Sequence, residues 1–310
     1  MRILTALTAG TLIFAQDLPT LKVDVDVVSV LASVRDKKNT LIPNLEKQDF
    51  TVLEDGKPQT IKYFTKESDL PLTIGLLVDV SRSQENLIDI ERRAADQFFR
   101  QVLRKKDIAF LISFGEESEL LQDYTSSPRL LLDGLNQLRV SGGAGGLHPG
   151  PVPTISQQRG TVLFDAIYLA ANEKLKGEVG RKVIVVITDG VDQGSKLNRS
   201  QAIEAAQKSD AVIYSIDYED PRYHGMFGPS GEGDLKKMSD ETGGHVYKVD
   251  RKMTLDMVFK ELQDEMRSQY MIGYTPSNEA KDGGYRHIDI RTSNKDLKVQ
   301  ARKGYYAIKP

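Results

Sequence analysis

Asp79-Val80-Ser81-Arg82-Ser83 sets one carboxylate and two hydroxyls at every second position, directly after the apolar run 72–78 (LTIGLLV). Alternate side chains of an extended segment project to one side, so Asp79, Ser81 and Ser83 converge. Thr161, behind a Gly/Pro-rich stretch, adds a hydroxyl, and Asp189, closing a second apolar run at 182–188 (KVIVVIT), adds a carboxylate. All five are hard oxygen donors, a set that suits Mg2+, or in its place Mn2+ or Ca2+, over softer metals. A divalent ion held by only two carboxylates stays electrophilic and gains from a further carboxylate on a partner protein. Near the same rim stand Arg82, a cation able to draw an acidic ligand, and Asp165 and Asp192; Asp165 reads as a hydrogen-bonding support of its loop. The same residue types also cap helices and close turns, Asp79, Ser81, Ser83 and Thr161 as caps and Asp189-Gly190 as a plain turn, so the residues alone leave both readings open.

Both apolar runs are the kind buried on two faces in a parallel sheet, whose carboxyl ends are where open α/β sheets place ligands. Further runs of that kind occur at 108–114 and 211–216, and helical spacing at 84–103, 128–139, 161–176, 198–208, 235–242 and 254–269 separates them. That alternation predicts an α/β fold with a doubly wound, mostly parallel sheet. Before it, 23–34 alternates as a half-buried strand, and 49–54 with 59–65 around Asp55-Gly56 predicts a hairpin. After Tyr270 strands return at 285–292, 297–302 and 305–308, which predicts that the N- and C-terminal segments pair in a small β-sandwich, with Tyr270, Tyr274, Tyr305 and Tyr306 packing in it. The predicted organisation is 1–16 signal peptide, 17–68 N-terminal β segment, 69–268 α/β domain and 269–310 C-terminal β segment. The stretches 141–160 and 218–233 are expected to be loops.

Arg2 followed by a short apolar run ending near Ala15 has the layout of an export signal, which predicts a secreted or periplasmic protein with no membrane span in its mature part. Cysteine is absent from the chain, which excludes disulfides, thiolate metal sites and a cysteine nucleophile. Lys plus Arg number 42 against 44 Asp plus Glu, so no basic excess predicts a nucleic-acid partner. No G-x-S-x-G or phosphate-loop motif is present, which argues against serine hydrolysis and nucleotide binding, and His148, His224, His245 and His287 are scattered. Asp24-Val25-Asp26-Val27-Val28 fits the DxDx[TV] string of haloacid-dehalogenase-like phosphotransferases. Its aspartates alternate with valines instead of ending a buried strand, which leaves that enzyme as a remote alternative.

Together DVSRS, TVLFDAI (161–167) and ITDG (187–190) resemble the metal-ion-dependent adhesion site of a von Willebrand factor type A domain, DxSxS…T…D, over residues 70–268. The flanks, including RSQYMIGYTP and LKVQARKGYYA, resemble the exported bacterial group called VWFA-related acidobacterial domain proteins. The resemblance implies a Rossmann-like sheet with Mg2+ at its upper edge, ligated directly or through water by Asp79, Ser81, Ser83, Thr161 and Asp189, that captures an acidic residue of a protein partner. It implies no enzymatic activity. The alternative of a different class is a metal-independent structural or assembly module of a cell-envelope complex.

Overall fold

The computed structural model describes residues 27–66, 70–141, 160–220 and 230–308. The expected signal peptide, Asp24 and Asp26, most of the two expected loops, and His148 and His224 lie outside the described residues. Strands β1 (Val28–Arg35), β2 (Phe50–Glu54), β3 (Lys57–Gln59) and β4 (Ile61–Lys66) come first. The central region follows with β5 (Leu72–Asp79), α1 (Ile88–Val102), β6 (Ile108–Phe114), β7 (Ser118–Thr125), α2 (Pro128–Leu135), α3 (Leu163–Tyr168) and β8 (Arg181–Thr188). It continues through α4 (Arg199–Lys208), β9 (Ala211–Asp217), α5 (Glu232–Thr242), β10 (Val246–Lys248) and α6 (Leu255–Arg267). The chain ends in β11 (Tyr270–Tyr274), β12 (Tyr285–Thr292), β13 (Lys298–Ala301) and β14 (Gly304–Tyr306).

The central sheet has six strands in the order β10-β9-β8-β5-β6-β7, and all its neighbours are parallel except β7 on β6. Every residue of β5 and β8 is buried, because both faces carry helices. Ile74, Leu76 and Val78 join Phe98, Phe99 and Leu262 in one apolar cluster, while Leu77 joins Phe110, Leu163 and Ile167 in the other. Two four-stranded sheets, β13-β1-β11-β4 and β14-β12-β2-β3, flank this unit, and each mixes strands from the two ends of the chain. Their core includes Val30, Val52, Ile290 and the fully buried Tyr270 and Tyr274, whereas Tyr305 only packs against it.

Three local expectations are corrected. The hairpin at 49–65 holds only for its first half: β2 pairs β3, but the chain then crosses to the other sheet, where Ile61 faces Tyr274 of β11. Strand β7 was not predicted, because SELLQDYT is a half-exposed edge with two register irregularities against β6 and so lacks clean alternation. The helix expected over 161–176 divides into α3 and a π-helical stretch, Leu169–Leu175. The stop of α5 is as expected, since Gly243 takes φ 90, a left-handed conformation that favours glycine.

One buried carboxylate joins the two halves. Glu265, fully buried on α6, accepts from Ser33 Oγ at 2.9 Å and Arg35 Nη2 at 2.6 Å on β1, and from the Tyr247 hydroxyl at 2.7 Å on β10. Burial, and then this carboxylate, push the Tyr247 and Tyr214 phenols well above their ordinary range. Glu265→Ala leaves the Arg35 guanidinium and the hydroxyls of Ser33, Tyr247 and, at 3.4 Å, Tyr214 without their shared acceptor, a type of loss worth about 3–5 kcal/mol. Urea unfolding is expected to show an unfolding free energy lowered by that amount, read as a lower midpoint at unchanged m, and a midpoint unchanged from the parent would remove Glu265 from the junction.

Candidate functional site

Strands β5 and β8 end side by side, and their last residues supply the anionic part of the site. Asp79 is fully buried, with Oδ1 accepting the Ser81 N–H at 2.9 Å and Oδ2 accepting the Thr188 hydroxyl at 2.5 Å. Thr188 Oγ1 in turn accepts the Gly190 N–H at 3.0 Å. A turn through residues 82–84 then precedes α1, and the Ser81 and Ser83 hydroxyls lie 3.0 Å apart. Asp189, 2 % exposed, accepts the Val191 N–H at 3.1 Å. Its turn is held by a backbone-to-backbone approach: Gly190 takes φ +79, and a Cβ built on Gly231, the residue before α5, would stand 1.9 Å from the Gly190 carbonyl carbon. Glycine is required on both sides.

Main-chain bonds carry the third segment to this edge. Asp79 is registered against Phe114 of β6, and the Val162 N–H donates to the next carbonyl, Gly115, at 2.9 Å. The Thr161 carbonyl accepts from Gln193 and Gly194 in the loop after Asp189. The residue pattern singled out in the sequence is therefore gathered at one sheet edge by backbone geometry. Asp165 and Asp192 act on that loop: Asp165 accepts the N–H groups of Lys196 and Leu197, and Asp192 accepts the Ser195 hydroxyl at 2.5 Å. Arg82 is exposed on the 82–84 turn. His245 is half-buried on the approach to β10 and His287 is exposed on β12, in the sandwich.

The electrostatics show what the site lacks. Burial, and then the nearby Asp189 carboxylate, push Asp79 up to about 7, against the pull of its bonds to Thr188 and Ser81. Behind it lies Glu91 of α1, fully buried, with no hydrogen-bond partner for either oxygen; burial and then Asp79 push it well above the usual carboxylate range. Gln84 is equally buried and its amide atoms are also without partners. At the end of β9, burial pushes Asp217 up to about 6 although Lys248 stands 3.3 Å away. Among the described residues no three His, Cys, Asp or Glu side chains gather as a metal-binding group, so a cation here would draw on hydroxyls as well as Asp79 and Asp189. A desolvated Asp79 carboxylate raised further by the Asp189 charge, beside paired hydroxyls, fits a hard divalent cation by donor chemistry and by charge.

Sequence reasoning missed Glu91. Buried positions on α1 fall at Ile88, Ala94, Ala95, Phe98, Phe99 and Val102, and Glu91 occupies the same stripe. A carboxylate at an apolar-face position was the available signal.

A family model described as von Willebrand factor type A domain matches residues 152–264, a range that includes Thr161 and Asp189 and begins after Asp79. The central sheet is a von Willebrand factor type A fold. Similar solved structures include an aerotolerance-related membrane protein from Bacteroides fragilis, at 17% identity over 63% of this chain and 98% of that one, TM-score 0.47. BatB from Bacteroides thetaiotaomicron matches at 16% identity over 63% and 97%, TM-score 0.47. The PilB minor pilin from Streptococcus sanguinis matches at 12% identity over 65% and 62%, TM-score 0.46. No curated protein sequence matches the chain. No helix among the described residues is long and apolar enough to cross a membrane.

The raised carboxyls make stability depend on pH in a definite direction. Asp79 and Glu91 hold protons more tightly folded than unfolded, so their contribution to the metal-free fold is full below the unfolded carboxylate range, at about pH 4. It falls as pH rises, through about 7 for Asp79. Between pH 5.5 and 8 the parent is expected to lose several degrees of melting temperature, and Glu91→Gln, which removes one of the two titrations, to lose fewer. Equal slopes for the two proteins would show that Glu91 carries no such shift.

Proposed function

We propose that the chain is a metal-dependent protein-recognition module of the adhesion type, in which Asp79, Ser81, Ser83, Thr161 and Asp189 hold Mg2+, or in its place Mn2+ or Ca2+. The observation that carries the reading is the buried Asp79 carboxylate, raised by Asp189 and flanked by the Ser81–Ser83 hydroxyl pair. A bound ion would supply an electrophilic coordination position for an Asp or Glu carboxylate of the partner protein. The chain's own groups do the rest. Asp79 is held in orientation by the Ser81 N–H and the Thr188 hydroxyl, so its negative charge points where the hydroxyls of Ser81 and Ser83 can add neutral oxygens. Arg82, exposed beside them, favours approach of an acidic surface. Asp165 and Asp192 keep the 192–197 loop against α3 and so hold Asp189 and Thr161 in register.

Specificity in this reading belongs to the two segments that leave the same edge. The Ser141 N–H is bonded to the Val80 carbonyl and the Tyr218 N–H to the Thr188 carbonyl, so 141–160 and 218–233 both start beside the proposed site, where they could contact a partner. The von Willebrand factor type A match supports protein interaction or assembly over catalysis. The segment 1–15 supports export to the periplasm or exterior, and the flanking strands support a place in the acidobacterial group they resemble.

Calorimetric titration of Mg2+ and Mn2+ into the purified chain, beside Asp79→Ala, tests the reading. The parent is expected to bind one ion, more weakly as pH falls below about 7 because Asp79 must release its proton, and the variant to bind none while keeping its circular dichroism. Binding retained by Asp79→Ala would put the metal elsewhere. A parent that neither binds Mn2+ nor gains melting temperature from it at saturation would leave the metal-independent assembly module in its place.

A further inference from the structure

The opposite end of the same sheet carries a second feature that the metal site does not use. A cavity of about 960 Å³ lies between the amino edge of the central sheet and the β-sandwich. Its walls include Lys182 at the start of β8, Ala211 at the start of β9, Ser29 of β1 and Tyr305 of β14. From Lys182 to Thr188 is six residues of strand, roughly 20 Å, so the cavity and the metal edge are far apart.

Its polar floor is built and incompletely satisfied. Lys182 is 8 % exposed, and its ammonium donates to the Glu178 carbonyl at 3.1 Å. Among the described residues no carboxylate forms an ion pair with it, and burial pulls its pKa below the ordinary lysine value. Two more lining groups are buried without a hydrogen-bond partner, Thr275 Oγ1 and Arg302 Nε. The remaining Arg302 nitrogens are committed, one to Asp210 and one to the Ser29 carbonyl at 2.8 Å. Six Lys or Arg residues line the cavity against three Asp or Glu. The one hydrogen bond of the Lys182 ammonium goes to a neutral carbonyl and the Asp210 and Glu178 carboxylates act on it only from beyond ion-pair distance, so an anion in contact would stabilise it further.

The rim is apolar. Val179 is 80 % exposed, Ile308 46 %, Leu70 39 % and Val27 36 %, and these are four of the nine large hydrophobic side chains exposed among the described residues. Four exposed apolar side chains lining one cavity with an excess of Lys and Arg over Asp and Glu suit a ligand with one anionic end and an apolar body. The volume lies within the range of small-molecule sites, and such sites favour junctions between domains.

We propose that this junction cavity is a binding site for an organic monoanion with an aliphatic body, of the class of a fatty carboxylate, whose head is held by Lys182, Arg302 Nε and Thr275 and whose chain lies against Val179, Leu70 and Ile308. An ammonium bonded only to a neutral carbonyl, beside one free guanidinium N–H and one hydroxyl, matches a carboxylate. A polyphosphate would bring more charge than these groups balance.

The test is calorimetric titration of the full chain with laurate below its micelle concentration, beside dodecanol, which keeps the tail without the charge, and acetate, which keeps the head without the tail. Laurate is expected to bind saturably at one site, with dodecanol and acetate each weaker by about tenfold or more, the scale of a charged hydrogen bond. Lys182→Gln is expected to weaken laurate about tenfold and to leave dodecanol unchanged. Val179→Asp, at an exposed rim position that folding does not use, is expected to weaken laurate by repulsion. Asp79→Ala, at the other edge, is expected to leave it unaltered, so a failed metal site and a failed cavity give different results. Laurate binding that does not saturate, or that both Lys182→Gln and Val179→Asp leave at the parent's affinity, overturns the proposal.

Discussion

The junction at Glu265 constrains everything that the two halves do together. A carboxylate taken wholly out of water is tolerated only when its lone pairs are used, and here they are used by groups from three elements, β1, β9 and β10, with the carboxylate itself on α6. The next residue of α6 extends the same tie, since the Met266 carbonyl accepts from Arg181 at the start of β8. Two residues beyond α6 the chain enters β11, the strand that pairs with both β1 and β4. The sandwich is thus fastened to the central sheet by a polar contact set in an apolar surround, where misplacing any one partner strands the others. A junction of that kind fixes the relative placement of the halves more sharply than apolar packing, which tolerates sliding.

The carboxyl edge shows the opposite treatment of buried acids. Glu265 is satisfied, whereas Glu91 keeps both oxygens without partners and Asp79 faces another carboxylate. A fold that satisfies one buried carboxylate this fully and leaves another group of them unbalanced at a strand edge holds strain there for a reason. In the proposed reading, a bound cation would relieve it. The Asp79–Thr188 bond gives the unbalanced group its rigidity, because it ties adjacent strand ends and leaves the acid no rotamer in which to escape.

Much of this was legible in the residues. Runs buried on both faces, such as 72–78 and 182–188, announce parallel central strands, and chemistry then falls at their carboxyl ends by topology alone. The placement of Asp79 and Asp189 at neighbouring strand ends was readable from those runs, while Thr161 stands just before the Val162 cap of α3 and does not open the helix itself. What escaped depends on the third dimension. The crossing from β3 to β4 rests on a change of sheet at residue 60, and no local pattern marks which sheet a strand joins. β7 is an edge strand with polar residues on both faces, and half-exposed edges blur the two-residue period. The cavity at the other end arises from elements as distant as Ser29, Lys182 and Thr275, whose conjunction exists only after folding.

The two ends of the sheet carry opposite charge for one physical reason. In a parallel α/β unit helices begin at the carboxyl edge of the strands and finish at the amino edge, so their dipoles stack in one sense. Acidic residues accordingly sit in the first turns, Asp89 and Glu91 on α1 and Glu232 and Asp234 on α5, while Lys208 and Arg267 fall in the last turns of α4 and α6. Of the last-turn cations, Lys208 lines the cavity at the amino edge, beside Asp210 and Glu178 as well as Lys182 and Arg302. Strand β8 runs between the two edges, buried on both faces and paired along its length with β5 and β9. Burial on both faces and pairing on both sides make β8 a rigid spacer that fixes the distance between the two edges.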